Sequence, residues 1–171
     1  NNDMIKKKKL VIATRLHLGK TSSPPSDSSL KATLANFEGL AKTSNGIPVI
    51  AVDATPKLPN YDYVQAVQEN LPDKSCIQIV PVTTWGKFVP ALNALVLFAA
   101  SESIQADWIL FVSAEVSATP KSIQTLCDAI IDDTDDDVIV AGAAMNGHVY
   151  ITPTTSGENT THKVIELNGR T

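Results

Sequence analysis

Cysteine is scarce in this chain of 171 residues, and long apolar runs are absent from it. Cys76 and Cys127 are the two cysteines, and neither has a Cys-x-x-Cys or Cys/His spacing. Their pattern excludes a zinc site or a redox pair and predicts two buried free thiols. No apolar stretch approaches the roughly 20 residues of a membrane span. The first residues do not resemble a signal peptide, so the sequence predicts a soluble chain and leaves its compartment unknown.

Positive charge is also in short supply, because 14 Lys and Arg residues face 18 Asp and Glu residues. The resulting net charge of −4 argues against nucleic acid or an anionic membrane as the main partner. Hydrophobic residues make up 43% of the chain, enough for a real core. The length and composition predict a single domain over residues 1–171.

Apolar runs of strand length alternate with segments of helical periodicity along the chain. The predicted strands are Leu10–Thr14, Ile47–Val52, Ile77–Val82, Trp108–Val112, Val138–Ala141, His148–Thr152 and a possible last one, Lys163–Leu167. The predicted helices begin at Ser28 or Ser29, at Asn60, after Gly86-Lys87 and at Thr119-Pro120. Four strand–helix alternations predict an α/β domain with a doubly wound, mainly parallel sheet and helices on both faces. The short strands after Gly142 predict an antiparallel addition at the C-terminal end.

The stretch from Asp107 to Pro120 organises this arrangement. Trp108–Val112 is continuously apolar, which predicts a central strand buried on both faces beside Leu10–Thr14. The small and acidic residues Ser113-Ala114-Glu115 follow directly. Ligands of open parallel sheets bind beyond the carboxyl ends of the strands, which makes this point a predicted site.

The same edge of the sheet is expected to gather side chains from all four of the first strands. They are Thr14 to His17, Asp53, Thr83 to Lys87 and Ser113 to Glu115. Acids, a lysine and a glycine turn in one crevice suit a phosphorylated or nucleotide ligand with a divalent cation. Gly19-Lys20-Thr21 is similar to the end of a phosphate-binding P-loop, but Thr14 stands where that motif needs glycine. Pro24-Pro25 then occupies the place of the helix, so a P-loop is excluded.

Four segments in order carry a resemblance to a known family. They are Val11-Ile12-Ala13-Thr14, Val49-Ile50-Ala51-Val52-Asp53, Gly86-Lys87 with Ala91-Leu92-Asn93-Ala94, and Ile109-Leu110-Phe111-Val112-Ser113-Ala114-Glu115. Together they resemble the nucleotide-sugar-binding part of a family 2-type, GT-A fold glycosyltransferase. The resemblance covers about Leu10 to Ile131. It implies a Rossmann-like fold that binds a nucleotide-diphospho-sugar.

The resemblance also implies roles for particular residues. Asp53 matches the acid that contacts the base or ribose, and Thr14 matches a residue lining the same pocket. Lys87 and Asn93 match positions near the bound nucleotide. Ser113-Ala114-Glu115 stands where the family carries Asp-x-Asp, so Ser113 would lie beside the ribose. Glu115 would hold the Mg²⁺ or Mn²⁺ that bridges the diphosphate.

Three functional hypotheses follow from the sequence. The first is a glycosyltransferase-like donor-binding domain; these enzymes usually continue past the point where this chain ends at Thr171, so catalysis by this chain alone is not expected. The second is a degenerate relative acting as a structural or interaction subunit with a protein partner, favoured by Ser113 in place of an acid. The third is an unrelated nucleotidyltransferase, which would need a Gly-rich basic loop after the first strand. No catalytic base is identified; His148 and His162 are candidates by elimination only.

Overall fold

The computed structural model describes residues 9–19, 23–85 and 88–114, together with residues 121, 122 and 125. The chain divides into two compact units, Asn1–Ala118 and Thr119–Thr171. All elements named below belong to the first unit. They are β1 (Leu10–Leu16), α1 (Asp27–Thr43), β2 (Ile47–Asp53), α2 (Tyr63–Glu69), β3 (Gln78–Val82), α3 (Phe88–Ala100) and β4 (Trp108–Phe111).

The four strands form one parallel sheet in the order β3-β2-β1-β4. This confirms the predicted α/β fold with a parallel sheet, and β1 is a central strand as expected. Val11, Ile12 and Ala13 are fully buried in it. The start of β1 is joined to β4 through Lys9 and Asp107, since the Lys9 N–H donates to the Asp107 carboxylate at 2.6 Å. The Asp107 N–H in turn donates to the Lys9 carbonyl at 2.9 Å, so backbone groups 98 residues apart are paired.

Helices cover the sheet on both sides. One face carries α3 and a core of buried side chains, namely Val11, Ala13, Val49, Ala51, Val82, Trp85, Ala91, Leu95 and Ala99. Because side chains alternate along a strand, Ile12, Ile50 and Val52 point to the opposite face. Right-handed crossovers place α1 and α2 there, since the chain moves outward from β1 to β3 and then returns past β1 to β4.

The first helix begins earlier than the sequence pattern predicted. Ser26 is its N-cap, with extended φ −71° and ψ 150°, and its Oγ accepts from the Ser29 N–H at 3.3 Å. The prediction of Ser28 or Ser29 as the cap was therefore wrong by two or three residues. Ser26 directly follows Pro24-Pro25, and its extended backbone is the conformation an N-cap requires. The apolar residues that recur at helical spacing along α1, namely Leu30, Leu34, Phe37 and Ala41, are all buried.

Gly46 sits between the end of α1 and the start of β2. The turn is made by Asn45, which adopts a left-handed φ of 53°. Gly46 is required for a different reason, because a Cβ built on it would lie 2.6 Å from the Cγ1 of Ile12. Ile12 is fully buried and has no room to move away.

Two further helix predictions need correction. The N-cap of α2 is Asp62, whose Oδ1 accepts from the Gln65 N–H at 3.0 Å; Asn60 instead takes a left-handed φ of 57° in the preceding turn. A shift of two residues moves the buried side of this short helix to Tyr63 and Val67. In α3, Val96 shares the apolar pattern but is 47% exposed.

The strand β4 is less buried than its sequence predicted. It stands at one end of the described sheet, and its residues are half-buried except for Phe111, which is 43% exposed. The expectation of full burial on both faces was wrong for these residues. Of the helix predicted to begin at Thr119-Pro120, residues 121, 122 and 125 are described, and they are helical. Its other residues lie outside the described residues, as do the predicted strands Val138–Ala141, His148–Thr152 and Lys163–Leu167 and with them the antiparallel addition.

Cys76 is exposed, so the prediction of a buried thiol was wrong for this residue; Cys127 lies outside the described residues. It lies in the segment between α2 and β3, and its backbone N–H donates to the Glu38 carboxylate at 3.1 Å. Glu38 is 4% exposed and also pairs with Lys42 at 3.2 Å. The backbone contact, rather than burial of the sulfur, fixes Cys76 against α1.

Candidate functional site

The register of the sheet brings the predicted loops to one edge. Leu16 lies beside Val52, and Asp53 lies beside Val82 at the end of β3. The Ala54 N–H donates to the Val82 carbonyl at 3.0 Å, which extends the pairing past β2. On the other side of β1, the Val112 N–H donates to the carbonyl of Ala13 at 2.9 Å. All four strands therefore end side by side.

A cleft of about 380 Å³ opens at this edge, beyond the end of β1. We name it the β1 cleft; it is lined by His17, Leu18, Ser23, Pro24, Pro25 and Tyr63. The loop after β1 supplies five of these residues, and the first turn of α2 supplies the sixth. Gly19 turns that loop with a left-handed φ of 65°, which favours glycine.

His17 is the imidazole of the β1 cleft. It is exposed, and its ring packs against Trp85 with centroids 5.9 Å apart and planes tilted by 43°. Trp85 follows β3 and is only 7% exposed, so it forms a fixed support for the histidine. The contact places an aromatic surface and a hydrogen-bonding ring at the cleft.

Tyr63 supplies a neutral phenol to the cleft wall. Burial, reinforced by the neighbouring Tyr61 and by the negative charge of Asp53, raises the pKa of Tyr63 to about 12. The rings of Tyr61 and Tyr63 stack with centroids 6.3 Å apart. Because Tyr63 keeps its proton at neutral pH, it can donate a hydrogen bond to an oxygen of a ligand.

Asp53 is almost completely buried, at 1% exposed, and the alternation of β2 directs it to the α3 face, although its charge still acts on Tyr63. Its Oδ1 accepts from the Thr55 N–H at 3.1 Å and from the Thr55 hydroxyl, and its Oδ2 pairs with the Lys57 ammonium. Burial alone would raise the pKa of Asp53, but the bonds from Lys57 and Thr55 outweigh it and hold that pKa below its ordinary value. Asp53 is therefore ionised. Its carboxylate stabilises the turn after β2 and can accept one further hydrogen bond.

Thr14 carries a hydroxyl that needs an explanation. The residue is 2% exposed, and its Oγ1 has no hydrogen-bond partner within the part of the chain that the structure describes. An unsatisfied buried hydroxyl costs about 1–3 kcal/mol. Thr14 points to the face of the sheet opposite α3, the face on which α2 and Tyr63 lie. A ligand or a bound water on this face would give the Thr14 hydroxyl a hydrogen-bond partner.

The other predicted site residues are dispersed. Ser113 is exposed just after β4, at the correct edge of the sheet. Asn93 is exposed on the side of α3 that faces away from the sheet, because Ala91 and Leu95 occupy its buried side. The structure does not bring Asn93 to the β1 cleft, and a contact with the nucleotide stays a prediction. Lys87 and Glu115 lie outside the described residues.

Sequence reasoning included His17 and Trp85 within segments of this edge but did not single them out, and it assigned Tyr63 no role in the site. The signal for Tyr63 was the Tyr-Asp-Tyr sequence at 61–63, with an N-capping acid between two aromatic residues. An acid that caps a helix places the next residue in its first turn.

No protein-family model, no curated protein and no solved structure matches this chain. Within the described ranges, no group of three or more His, Cys, Asp or Glu side chains is placed to hold a metal ion. No helix in those ranges is long and apolar enough to span a bilayer. The function must be inferred from the site itself.

Proposed function

We propose that this protein binds a nucleoside diphosphate group, as part of a nucleotide-sugar, at the carboxyl edge of its sheet. The role is that of the donor-binding domain of a GT-A-type glycosyltransferase. One observation carries the proposal: a cleft lined by aromatic and proline rings opens beyond the ends of parallel strands, and Tyr63 in its wall is close enough to Asp53 for that charge to raise its pKa. Ligand sites of α/β sheets lie at such points.

The β1 cleft suits a flat, partly polar group such as a nucleobase. Its volume of about 380 Å³ lies within the usual range of small-molecule sites. Leu18, Pro24 and Pro25 offer apolar surface, while His17 and Tyr63 offer hydrogen bonds. This mixture matches the mainly apolar lining with a few placed polar groups that ligand pockets share.

Asp53 and Thr14 would provide the recognition of the nucleoside. The carboxylate of Asp53 can accept one more hydrogen bond, from a ribose hydroxyl or a base N–H. Lys57 and Thr55 hold the carboxylate in place, and because its side chain is fully buried, binding would require the residues that cover it to move. Thr14 does not line the β1 cleft, so its unpaired hydroxyl gains a partner only if the ligand, or a water held by it, reaches past the lining residues.

The phosphate and cation part of the proposal rests on the sequence. Ser113 stands at the end of β4, and Glu115 is the proposed ligand for Mg²⁺ or Mn²⁺, with Lys87 near the phosphates. When bound, such a cation would neutralise the charge on a diphosphate leaving group. Its oxygen-preferring chemistry fits a glutamate better than the histidine of the β1 cleft.

Calorimetry with uridine and guanosine diphosphates, each with and without Mn²⁺, tests the proposal. Asp53→Ala should weaken binding by ten-fold or more in both conditions, whereas Glu115→Ala should remove only the effect of the metal. His17→Ala changes an exposed side chain and should weaken binding several-fold without altering the fold. Asp73→Ala, an exposed acid elsewhere, serves as the matched control. If neither nucleotide binds at millimolar concentration, the proposal fails.

A structural or interaction subunit is the second candidate function. The observation that favours it is an exposed apolar surface on α3, where Val89 is 59% and Leu97 is 72% exposed. Exposed apolar surface on a soluble domain commonly marks a contact with another molecule. Failure of nucleotide binding, together with a protein contact through α3, would support this candidate.

A further inference from the structure

The starts of two helices contribute to the lining of the β1 cleft. Ser23, Pro24 and Pro25 lead directly into α1, whose N-cap is Ser26. Tyr63 is the first residue of α2. The distance between the starts of α1 and α2 therefore determines how closely these parts of the cleft can surround a ligand.

A weak polar contact joins α1 and α2 away from the cleft. Asn70, the C-cap of α2, is 6% exposed, and its Nδ2 donates to the Oδ1 of Asp27 at 3.5 Å. The same Nδ2 donates to the Ala66 carbonyl at 2.9 Å, which holds the amide on α2. Asp27 is the first residue of α1, two positions beyond Pro25 of the cleft. A distance of 3.5 Å is at the outer limit of a hydrogen bond, so this contact does not lock the two helices together.

Tyr61 connects this contact with the cleft. Its ring stacks on that of Tyr63, with centroids 6.3 Å apart and planes 28° apart. Its Oη is buried and has no hydrogen-bond partner among the residues that the structure describes. Burial, and then the negative charge of Asp27, raise the pKa of Tyr61, so the phenol is protonated at neutral pH. A buried donor therefore lies close enough to a carboxylate to feel its charge, yet does not bond to it.

A small movement of α2 toward α1 would remove this defect. A buried donor without an acceptor is unfavourable, and a hydrogen bond to Asp27 would satisfy it. The helix α2 has seven residues and buries only Tyr63 and Val67, whereas α1 buries six of its 17. Elements with few buried side chains shift most easily, so α2 is the element expected to move.

We propose that Tyr61 is a positioning residue of the β1 cleft. When a ligand contacts Pro25 and Tyr63 together, α2 moves toward α1 and the Tyr61 hydroxyl donates to the Asp27 carboxylate. Because this bond forms only in the complex, it adds to the affinity although neither residue touches the ligand. The inference rests on the proposed function, since the nucleotide is the ligand that draws the two helices together.

Tyr61→Phe is the first test, because it removes the hydroxyl and keeps the ring against Tyr63. The Tm of the free variant should be unchanged or higher, since the lost hydroxyl has no partner there. Calorimetry should show binding of uridine or guanosine diphosphate weakened by about three- to ten-fold, the usual contribution of one hydrogen bond. A lower Tm of the free variant would mean that the hydroxyl is already bonded, for example through a water, and would overturn the proposal.

A double-mutant cycle with Asp27→Ala, which removes the acceptor, tests the pair. The variant that combines it with Tyr61→Phe should bind nucleotide about as weakly as either single variant, because each change breaks the same bond. Their effects on the Tm of the free chain should be additive. Asp73→Ala removes an exposed acid elsewhere and should leave the effect of Tyr61→Phe on affinity unchanged. Additive losses of affinity for Tyr61→Phe and Asp27→Ala would contradict the proposal.

The same titrations separate this inference from the proposed function. If the unaltered chain binds neither nucleotide, both are wrong. If it binds a nucleotide and Tyr61→Phe binds that nucleotide equally well, the cleft is a nucleotide site and only the positioning role of Tyr61 is wrong. Circular dichroism establishes that each variant is folded.

Discussion

At Gly46 a single methyl group decides whether α1 and β1 can pack together. The neighbouring Ile12 is fully buried, and a Cβ on residue 46 would approach it to 2.6 Å. We expect Gly46→Ala to destabilise the protein by about 1–3 kcal/mol, the usual cost of overpacking. Urea unfolding measures the change.

Gly39 provides the matched control for this prediction. It lies on α1, and a Cβ built there meets nothing within 4 Å. Gly39→Ala should be neutral or stabilise the protein by up to about 1 kcal/mol, because alanine favours helix. If both substitutions change the free energy of unfolding alike, the contact with Ile12 is not the cause.

The charge on Asp53 predicts how stability depends on pH. Its pKa is lowered in the folded protein, because Lys57 and Thr55 outweigh the effect of burial. Its contribution is therefore complete above the unfolded value of about 3.9, and it is lost as the pH falls through the folded pKa. The difference in unfolding free energy between the unaltered chain and Asp53→Asn should be constant from pH 7 to about 5 and shrink below pH 4. A difference that stays constant down to pH 3 would contradict this.

Lys57→Met tests the ion pair between Asp53 and Lys57 by removing the ammonium group. Removing the ammonium leaves Asp53 buried without its charged partner, so about 1–3 kcal/mol of stability should be lost at neutral pH. The variant should also raise the pKa of Asp53, which carboxylate NMR titration would detect. An unchanged pKa would mean that Thr55 alone holds the carboxylate in its ionised form.

The start of α1 depends on one serine out of three nearby. Ser26→Ala should cost about 1 kcal/mol, because the Ser29 N–H loses its acceptor. Ser29→Ala keeps that N–H and should be close to neutral. Thermal unfolding of the two variants shows which serine caps the helix. A greater loss of stability in Ser29→Ala than in Ser26→Ala would indicate that the helix begins where the sequence pattern predicted.

Within the described residues, the periodicity of the sequence predicted the elements well, and their ends less well. Strands and helices were located because buried faces impose periods of two and 3.6 residues. Which of several neighbouring polar residues becomes a cap depends on the direction from which the chain arrives, and both Ser26 and Asp62 were missed for this reason. Helical periodicity also does not show whether an apolar side chain is buried; Val96 in α3, for example, is 47% exposed.

The candidate site could also be predicted only in part from the sequence. The position of Asp53 at the sheet edge could be predicted, because an acid directly after a buried strand must lie near its carboxyl end. Its partner Lys57 could not be predicted, nor could the support that Trp85 gives to His17. Those contacts depend on the β1–β2–β3 register and on loop conformation, which local patterns do not determine.

For the whole molecule, the strand order predicts where the backbone is most protected. Amides of β1 and β2 should exchange with solvent most slowly, because both strands have a hydrogen-bonded neighbour on each side. Amides of β4 should exchange faster, since its residues are half-buried or exposed. Hydrogen exchange followed by mass spectrometry measures this order. Slower exchange in β4 than in β1 would indicate that β4 has a further neighbour.

The pairing of Lys9 with Asp107 has a consequence for synthesis on the ribosome. These residues are 98 positions apart, so β1 emerges long before the strand that completes it. At about 5–20 residues per second, the gap lasts roughly 5–20 s. During that time β1, an almost wholly apolar strand, has one edge open to pairing with other chains. A nascent chain of this protein therefore has a period in which a chaperone would protect it most.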